Sequence, residues 1–189
     1  LNSYSLFNID YEGDYNVYSN DPRNINLGKK LITDKKILIE KERLKAINST
    51  DYHDILINHT TPYSPFDILE NKSLLLENNF DNLNAIDWDK GCYVGQEITA
   101  RMKYRGLLKK KLYALKIKNG DVLEGDELIV DNKKIGTIVS KANSNIFAAL
   151  NINFVNEIKN KNQNLVINDS LSFDFLNWKF FSIKTYWNY

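Results

Sequence analysis

The spacing of hydrophobic residues changes near residue 105 and divides the chain into two parts. In the first part, apolar side chains over 42–60 recur near the 3.6-residue period of an α-helix, which predicts a helix with a break at Ser49. Short extended segments are predicted before it, over 7–19, 27–33 and 36–40. The stretch 61–66 holds two prolines and is predicted to be a loop. The first part therefore mixes helix and strand.

In the second part, short strands separated by turn residues recur about every ten residues. Alternation over 111–117 predicts one strand, and Asp131-Asn132 predicts a hairpin turn between two others. The remaining predicted strands cover 127–130, 134–140, 145–152 and 170–181. This rhythm is typical of a small antiparallel β-barrel or sandwich. The sequence thus predicts an α+β protein, with an α+β domain over 1–105 and a C-terminal β-barrel domain over 106–189.

The composition supports a folded protein and excludes several other classes. Hydrophobic residues make up 43% and charged residues 26% of the 189 residues, which allows a packed core and argues against a disordered chain. The longest apolar runs are far shorter than the ~20 residues that cross a bilayer, so we expect no membrane contact. The net charge of +1 gives no overall attraction to nucleic acid.

Cysteine and histidine are too few for a metal centre built by this chain alone. Cys92 is the only cysteine, which excludes a disulfide framework and an all-thiolate metal site. His53 and His59 are six positions apart and do not face each other on one helix as a metal pair would. We therefore predict no metal site and interpret both histidines as surface or loop residues.

The segment around Cys92 concentrates the side chains that can carry chemistry. Gly91 and Gly95 allow tight backbone geometry, and a helix is predicted over 96–103. Cys92 then lies just before a helix N-terminus, where backbone amides and the macrodipole stabilise a thiolate. The alternative is a buried, inert thiol, because free cysteine is among the most buried residue types.

Charged side chains on both sides of Cys92 bear on its reactivity. Lys90 and Arg101 bring positive charge, which favours a thiolate. Glu97 can cap the predicted helix or pair with Arg101 four residues later. The chemistry of the segment therefore centres on the Cys92 thiol.

The residues from 90 to 97 read K-G-C-Y-V-G-Q-E, and with them the chain resembles the YgfZ family, the folate-binding relatives of the glycine-cleavage T-protein. The residues that match this signature and its continuation are Lys90, Gly91, Cys92, Tyr93, Gly95, Gln96, Glu97 and Arg101. The D-P-R residues at 21–23 and the L-L-E residues at 75–77 resemble two further motifs of the family. Leu75 stands where the family has proline. The likeness covers most of the chain. Family members begin with a further N-terminal part, which we expect this chain to lack.

The resemblance implies a partial T-protein-like folate-binding domain followed by the barrel, and a role in the assembly or repair of iron–sulfur enzymes. It implies tetrahydrofolate or another folate as cofactor. Glu77 is a candidate contact because a carboxylate can accept paired hydrogen bonds from a pterin edge; the alternative is a strand-end surface charge. Arg23 can bind a glutamate tail or close a salt bridge within its turn.

The resemblance also makes Cys92 the functional thiol. One thiolate cannot hold an iron–sulfur cluster, so Cys92 acts either as one ligand of a transient cluster shared with a partner or as a redox thiol. The implied partners are iron–sulfur client or assembly proteins. Through such clients, the resemblance also implies an effect on tRNA modification.

A basic stretch offers a second class of partner. Between residues 98 and 120 lie eight Lys and Arg and no acidic residue. The stretch from Arg101 to Lys118 either contacts a polyanion or forms a solvated strand face that acidic residues balance from elsewhere. The leading function is non-enzymatic. Its alternatives are a T-protein-like aminomethyltransferase that uses tetrahydrofolate and an RNA-interaction module. The expected location is the bacterial cytoplasm, with the mitochondrial matrix as the alternative.

Overall fold

The computed structural model describes residues 2–6, 15–33, 46–92, 94–161 and 163–176, and within these ranges it contains nine strands and three α-helices. The strands are β1 (Asn2–Leu6), β2 (Val17–Asn20), β3 (Lys29–Thr33), β4 (Lys110–Asn119), β5 (Glu127–Val130), β6 (Lys133–Ala142), β7 (Asn145–Asn151), β8 (Leu165–Asn168) and β9 (Leu171–Phe175). The helices are α1 (Ser49–Asn58), α2 (Glu97–Tyr104) and α3 (Ile152–Asn160), with a short 3-10 turn at Ile25–Leu27. The prediction that the chain contains both helices and strands is confirmed for the described residues.

The larger sheet is antiparallel throughout and nearly closes into a barrel. Its six strands lie in the order β5-β6-β7-β4-β9-β8, and the two end strands β5 and β8 contact each other. The predicted hairpin is present, because Asp131 and Asn132 both adopt positive φ, 49° and 59°, as the two central residues of a type I′ turn do. The barrel-like sheet that the turn spacing predicts is therefore confirmed for the strands within the described ranges.

Strand β4 is buried on both faces, which explains its run of four buried residues. Tyr113 and Leu115 point into the barrel and pack with the interior cluster. Leu112 and Ala114 point outward and pack with Ile57 of α1. A helix thus covers the outer face of the sheet, and the strand loses the simple alternation of a half-exposed strand.

Helix α1 begins at Ser49, where the sequence predicts a break, and not at residue 42. The side chain of Asn48 accepts a hydrogen bond from the backbone N–H of Asp51, as a good N-cap residue does. Residues 46–48 are not helical, and 34–45 lie outside the described residues. The helix then packs on β6 and β7 with Leu56 and Ile57 fully buried.

Two elements between β7 and β9 have no counterpart in the sequence prediction. Helix α3 follows β7 directly, and the Asn151 side chain caps it by accepting hydrogen bonds from the N–H groups of Asn153 and Phe154. Val155 and Ile158 bury its apolar face against the barrel core. Strand β8 then pairs with β9. The predicted strand over 170–181 is present as β9, and residues 177–189 lie outside the described residues.

A smaller antiparallel sheet with the order β1-β3-β2 precedes α1. Its central strand β3 falls within the predicted extended segment 27–33. Leu31 of β3 and Leu27 of the preceding turn are buried. The predicted segment 36–40 and most of 7–19 lie outside the described residues.

A buried carboxylate joins α1, the following loop and the barrel. Asp67 accepts hydrogen bonds from His53 Nε2 at 2.9 Å, from the backbone N–H of Tyr63 at 2.7 Å and from the Ser140 hydroxyl of β6. His53 is only 6% exposed and stacks on Phe66. The interpretation of His53 as a surface histidine is therefore wrong, because the loop folds back over α1 and supplies it with a buried partner.

Within the described ranges, none of the helices combines the length and the apolar character that crossing a bilayer requires.

Candidate functional site

The Cys92 side chain is exposed on an open loop that leads into α2. Gly95 adopts φ of +91°, a left-handed conformation that favours glycine, and a Cβ at Gly91 would meet nothing within 4 Å. Helix α2 begins at Glu97 after Gln96, close to the predicted position. Tyr93 lies outside the described residues. The Cys92 thiol is therefore exposed among the described residues and not buried as the alternative prediction has it, whereas its reactivity stays a prediction.

The charged residues of the signature pair with each other on α2. Arg101 Nη2 lies 2.5 Å from Glu97 Oε1, which is the predicted i,i+4 contact. Both side chains are exposed, so the pair contributes only about 0.3–0.5 kcal/mol to stability. Arg101 is consequently matched by Glu97 on the same helix.

Five apolar side chains lie between residues 88 and 107, before and after Cys92 and along α2; we call Trp88, Val94, Ile98, Tyr104 and Leu107 the apolar patch. Val94 is 101% exposed, and Ile98, Tyr104 and Leu107 are more than half exposed. The rings of Trp88 and Tyr104 meet edge to face. Exposed apolar side chains of this size are available for contact with another molecule.

A cation borders this apolar patch. Lys103 Nζ lies 3.5 Å from the centroid of the Trp88 ring, a cation–π contact. Burial lowers the pKa of Lys103. The apolar patch therefore has a cationic side chain, Lys103 of α2, in contact with one of its aromatic rings.

Glu77 lies on the wall of a groove of about 640 Å³ between α2, β6 and the turns over 74–77. Its side chain is 18% exposed, and Lys110 Nζ lies 3.4 Å from its Oε2 atom. The backbone is held to the barrel, because Leu112 N–H donates to the Glu77 carbonyl at 2.7 Å and Asn79 Nδ2 donates to the Leu112 carbonyl at 2.7 Å. The 74–77 stretch is a series of turns and not the strand or helix that its apolar residues predict.

Arg23 closes the predicted salt bridge within its own turn. Its Nε and Nη2 atoms donate to the two oxygens of Asp21, at 3.0 and 2.7 Å. Burial raises the pKa of Asp21, but the hydrogen bonds and charge of Arg23, with the charge of Lys30, outweigh burial and lower the pKa overall. The hydrogen bonds to Asp21 in turn raise the pKa of Arg23.

The three candidate positions do not form one site among the described residues. Glu77 lines the groove together with Ile98 and Met102 of α2, whereas Cys92 and Arg23 do not line it. Sequence reasoning missed the other groove residues from β6, chiefly Lys134 and Ile135. No sequence signal marks them, because only the packing of α2 beside β6 brings them to Glu77.

Acidic residues from elsewhere in the chain balance much of the basic stretch. Lys111 pairs with Asp81 at 3.4 Å and Lys118 with Asp174 at 3.0 Å. Lys110 and Arg101 are paired as described above. The structure therefore supports the solvated, balanced interpretation and gives no support to a polyanion contact.

In the part of the chain that the structure describes, His, Cys, Asp and Glu side chains do not come together in groups of three or more as a metal site would require.

No family model matches the chain. The chain is 34% identical over 121 residues to a Dictyostelium discoideum protein named iron–sulfur cluster assembly factor IBA57 homolog, mitochondrial, over 60% of this chain and 30% of that protein. It is 33% identical over 99 residues to the Mus musculus protein of that name, and 33% over 98 residues to the Homo sapiens protein; each match covers 51% of this chain and 27% of the relative. The chain therefore spans less than a third of the length of these relatives. It is similar to one part of proteins named for iron–sulfur cluster assembly.

Proposed function

We propose that this chain is part of a factor that supports the assembly or repair of iron–sulfur proteins, and that Cys92 is its working thiol. The observation that carries the proposal is the exposure of Cys92 on the loop that leads into α2, with exposed apolar side chains close behind it in the chain at Val94 and Ile98. The names of the similar proteins support the same role. The finer assignment to the YgfZ family is part of this proposal and rests on the K-G-C-Y-V-G-Q-E residues.

The geometry restricts how Cys92 can act. A single thiolate cannot hold a cluster, since such clusters need about four protein ligands. In the proposal, Cys92 therefore supplies one ligand while a partner protein supplies the others, and the cluster is cargo that passes between them. The partner is an iron–sulfur client or assembly protein, and tRNA modification is affected where the client is a tRNA-modifying enzyme. The apolar patch provides the contact surface, because Val94 and Ile98 follow Cys92 closely in the chain and are exposed.

We expect Cys92→Ala in the full-length protein to reduce the activity of a 4Fe–4S enzyme in its own cells to the level of cells that lack the protein. The physical reason is that alanine removes the only sulfur ligand of the loop while leaving its backbone geometry unchanged. The measurement is the activity and iron content of that enzyme, with protein levels checked by immunoblot. Asp89→Ala is the matched control, since it alters another exposed side chain of the segment before α2, outside the apolar patch and the signature, and should preserve most of the activity.

Normal enzyme activity with Cys92→Ala would contradict the thiol role. A loss of activity with Asp89→Ala as large as that with Cys92→Ala would also contradict it, because the activity would then depend on the segment as a whole and not on the thiol.

We further propose tetrahydrofolate as the cofactor, bound in the groove beside Glu77. Two properties of the groove support a ligand of this class. Its volume of about 640 Å³ lies in the usual range for small-molecule sites, and Leu74, Ile98 and Met102 make part of its wall apolar. The Glu77 carboxylate can accept hydrogen bonds from a pterin edge. Bound tetrahydrofolate would supply one-carbon or redox chemistry.

Lysines extend this fit along the groove. Lys109, Lys110 and Lys134 line it, but Lys110 pairs with Glu77 and Lys134 pairs with Glu127. Lys109 is therefore the lysine that we expect to attract the carboxylates of a glutamate tail. Arg23 does not line the groove, so its part in folate binding is not supported.

We expect tetrahydrofolate to bind the chain saturably and Glu77→Gln to weaken binding by about tenfold, the order of one lost charge-assisted hydrogen bond. The measurement is anaerobic calorimetry on the purified chain. Glu70→Gln, an exposed glutamate outside the groove, should leave the dissociation constant unchanged. Absence of binding by the unaltered chain would remove the folate proposal and leave the Cys92 proposal standing.

The mitochondrial matrix is the location we propose, because the relatives are named as mitochondrial proteins. This favours the alternative location over the bacterial cytoplasm. Fractionation of cells that express the full-length protein tests it, and recovery outside mitochondria would overturn it.

A further inference from the structure

A second groove lies at the seam of the barrel, where the end strands β5 and β8 approach each other. We call it the seam groove; residues of α3 form one of its walls, and its volume is about 480 Å³. This volume lies in the usual range for small-molecule sites. Strands β5 and β8 contact each other here, whereas their ladder partners are β6 and β9. The seam groove shares no lining residue with the groove beside Glu77, so the two are separate.

Part of the seam groove is apolar. Val130 of β5 and Phe154 of α3 are partly buried and pack against the barrel core, and Ile158 of α3 belongs to that core. Val166 of β8 adds a side chain that is 56% exposed. A ligand in the seam groove can therefore bury an apolar group on the rim of the barrel core, which favours binding by removing apolar surface from water.

Two carboxylates and one ammonium group line the same groove. Asp131 lies in the β5–β6 turn, and Glu157 precedes Lys161 by about one turn at the C-terminal end of α3. A glutamate four residues before a basic residue often pairs with it on a helix, as Glu97 does with Arg101 on α2. Within the described ranges, Asp131, Glu157 and Lys161 have no ion pair, so their charges are available to a ligand.

Separate charges of opposite sign beside an apolar surface complement an α-amino acid. Its ammonium group can bind to the carboxylates of Glu157 and Asp131, and its carboxylate can bind to Lys161. Its side chain then enters the apolar part of the groove, and a large side chain is needed to fill this volume. We propose that the seam groove binds a free α-amino acid with a large apolar side chain. The site does not rest on the proposed function.

The test titrates the isotope-labelled chain with L-phenylalanine at neutral pH and follows the backbone amide signals by NMR. We expect saturable shifts at seam-groove residues such as Val130, Glu157 and Val166, and none at Glu77. Phenethylamine lacks the carboxylate and phenylpropionate lacks the ammonium group. Each should bind about tenfold more weakly than L-phenylalanine, the order of one lost charge-assisted hydrogen bond.

Variants assign the two ends of the ligand. Glu157→Gln and Lys161→Met should each weaken L-phenylalanine binding by about tenfold. Lys161→Met should also lose the preference for L-phenylalanine over phenethylamine, which a merely structural role would not change. Matched controls are Glu124→Gln and Lys159→Met, which alter exposed side chains outside the seam groove and should preserve binding. Circular dichroism and thermal unfolding check the fold of each variant.

Three outcomes overturn the proposal. The first is the absence of saturable shifts with L-phenylalanine. The second is equal weakening by Lys159→Met and Lys161→Met, because general surface charge would then be the cause. The third is equal affinity for N-acetyl-phenylalaninamide, since the groove would then bind an apolar segment of a protein chain and not a free amino acid. Cys92→Ala and Glu77→Gln should bind L-phenylalanine normally, which keeps this test distinct from those of the proposed function.

Discussion

Asp67→Ala should lower the free energy of unfolding by about 3–5 kcal/mol, because it strands several buried donors at once. The carboxylate is 2% exposed and accepts hydrogen bonds from His53, from the Tyr63 backbone and from Ser140 of the barrel. Without it, water cannot reach these donors, and the loop after α1 loses its polar attachment to β6. Urea unfolding at neutral pH, followed by circular dichroism, measures the change.

Two variants make the result for Asp67 specific. Asp169→Ala removes an exposed aspartate from the β8–β9 turn and should change stability by no more than about 0.5 kcal/mol. Asp67→Asn keeps an acceptor oxygen and should cost less than Asp67→Ala. A loss under 1 kcal/mol for Asp67→Ala would mean that the junction is open to solvent, contrary to its burial here.

Gly136→Ala should destabilise the barrel by about 2–3 kcal/mol, because there is no room for a side chain at this position of β6. An added Cβ would lie 2.5 Å from the backbone oxygen of Ala149 and 2.5 Å from Leu150 Cδ2. Gly136 is paired on both sides, with Leu128 of β5 and Leu150 of β7, so the strand cannot move away from the clash. Thermal and urea unfolding both report the loss.

Gly91→Ala is the matched control for this substitution. A Cβ at Gly91 would meet nothing within 4 Å, so the same chemical change should leave stability unchanged or raise it slightly through the unfolded state. If the two substitutions had equal effects, the close packing of β6 against β7 would not be the cause.

The sequence predicts well the elements whose stabilising contacts join residues only a few positions apart in the chain. The β5–β6 hairpin follows from Asp131-Asn132, since these residues tolerate the positive φ of the turn, and β5 has the predicted bounds. Helix α2 and its Glu97–Arg101 pair follow from spacing along one helix. The salt bridge of Arg23 with Asp21 is likewise contained within one turn.

Elements that depend on distant partners are harder to predict. Helix α3 has only a short apolar stripe, with Val155 and Ile158 buried, and its burial depends on the barrel wall beside it. The start of α1 at Ser49 is marked by the Asn48 cap, whereas the apolar spacing upstream extends the predicted helix too far. Nothing in the sequence indicates that His53 is buried, because its hydrogen-bond partner Asp67 lies on a loop that folds back over α1.

The sequence by itself determined the mixed α and β content, most barrel strands and the place of Cys92 before α2, because periodicity, turn residues and a local motif act over a few residues. Only the tertiary structure decided that Cys92 is exposed, that Glu77 faces a groove with Lys110, and that Ser5 and Lys30 hydrogen-bond to Tyr52. The physical reason is that burial and charge pairing depend on segments far apart in the chain, whose approach is fixed by how the helices pack on the two sheets.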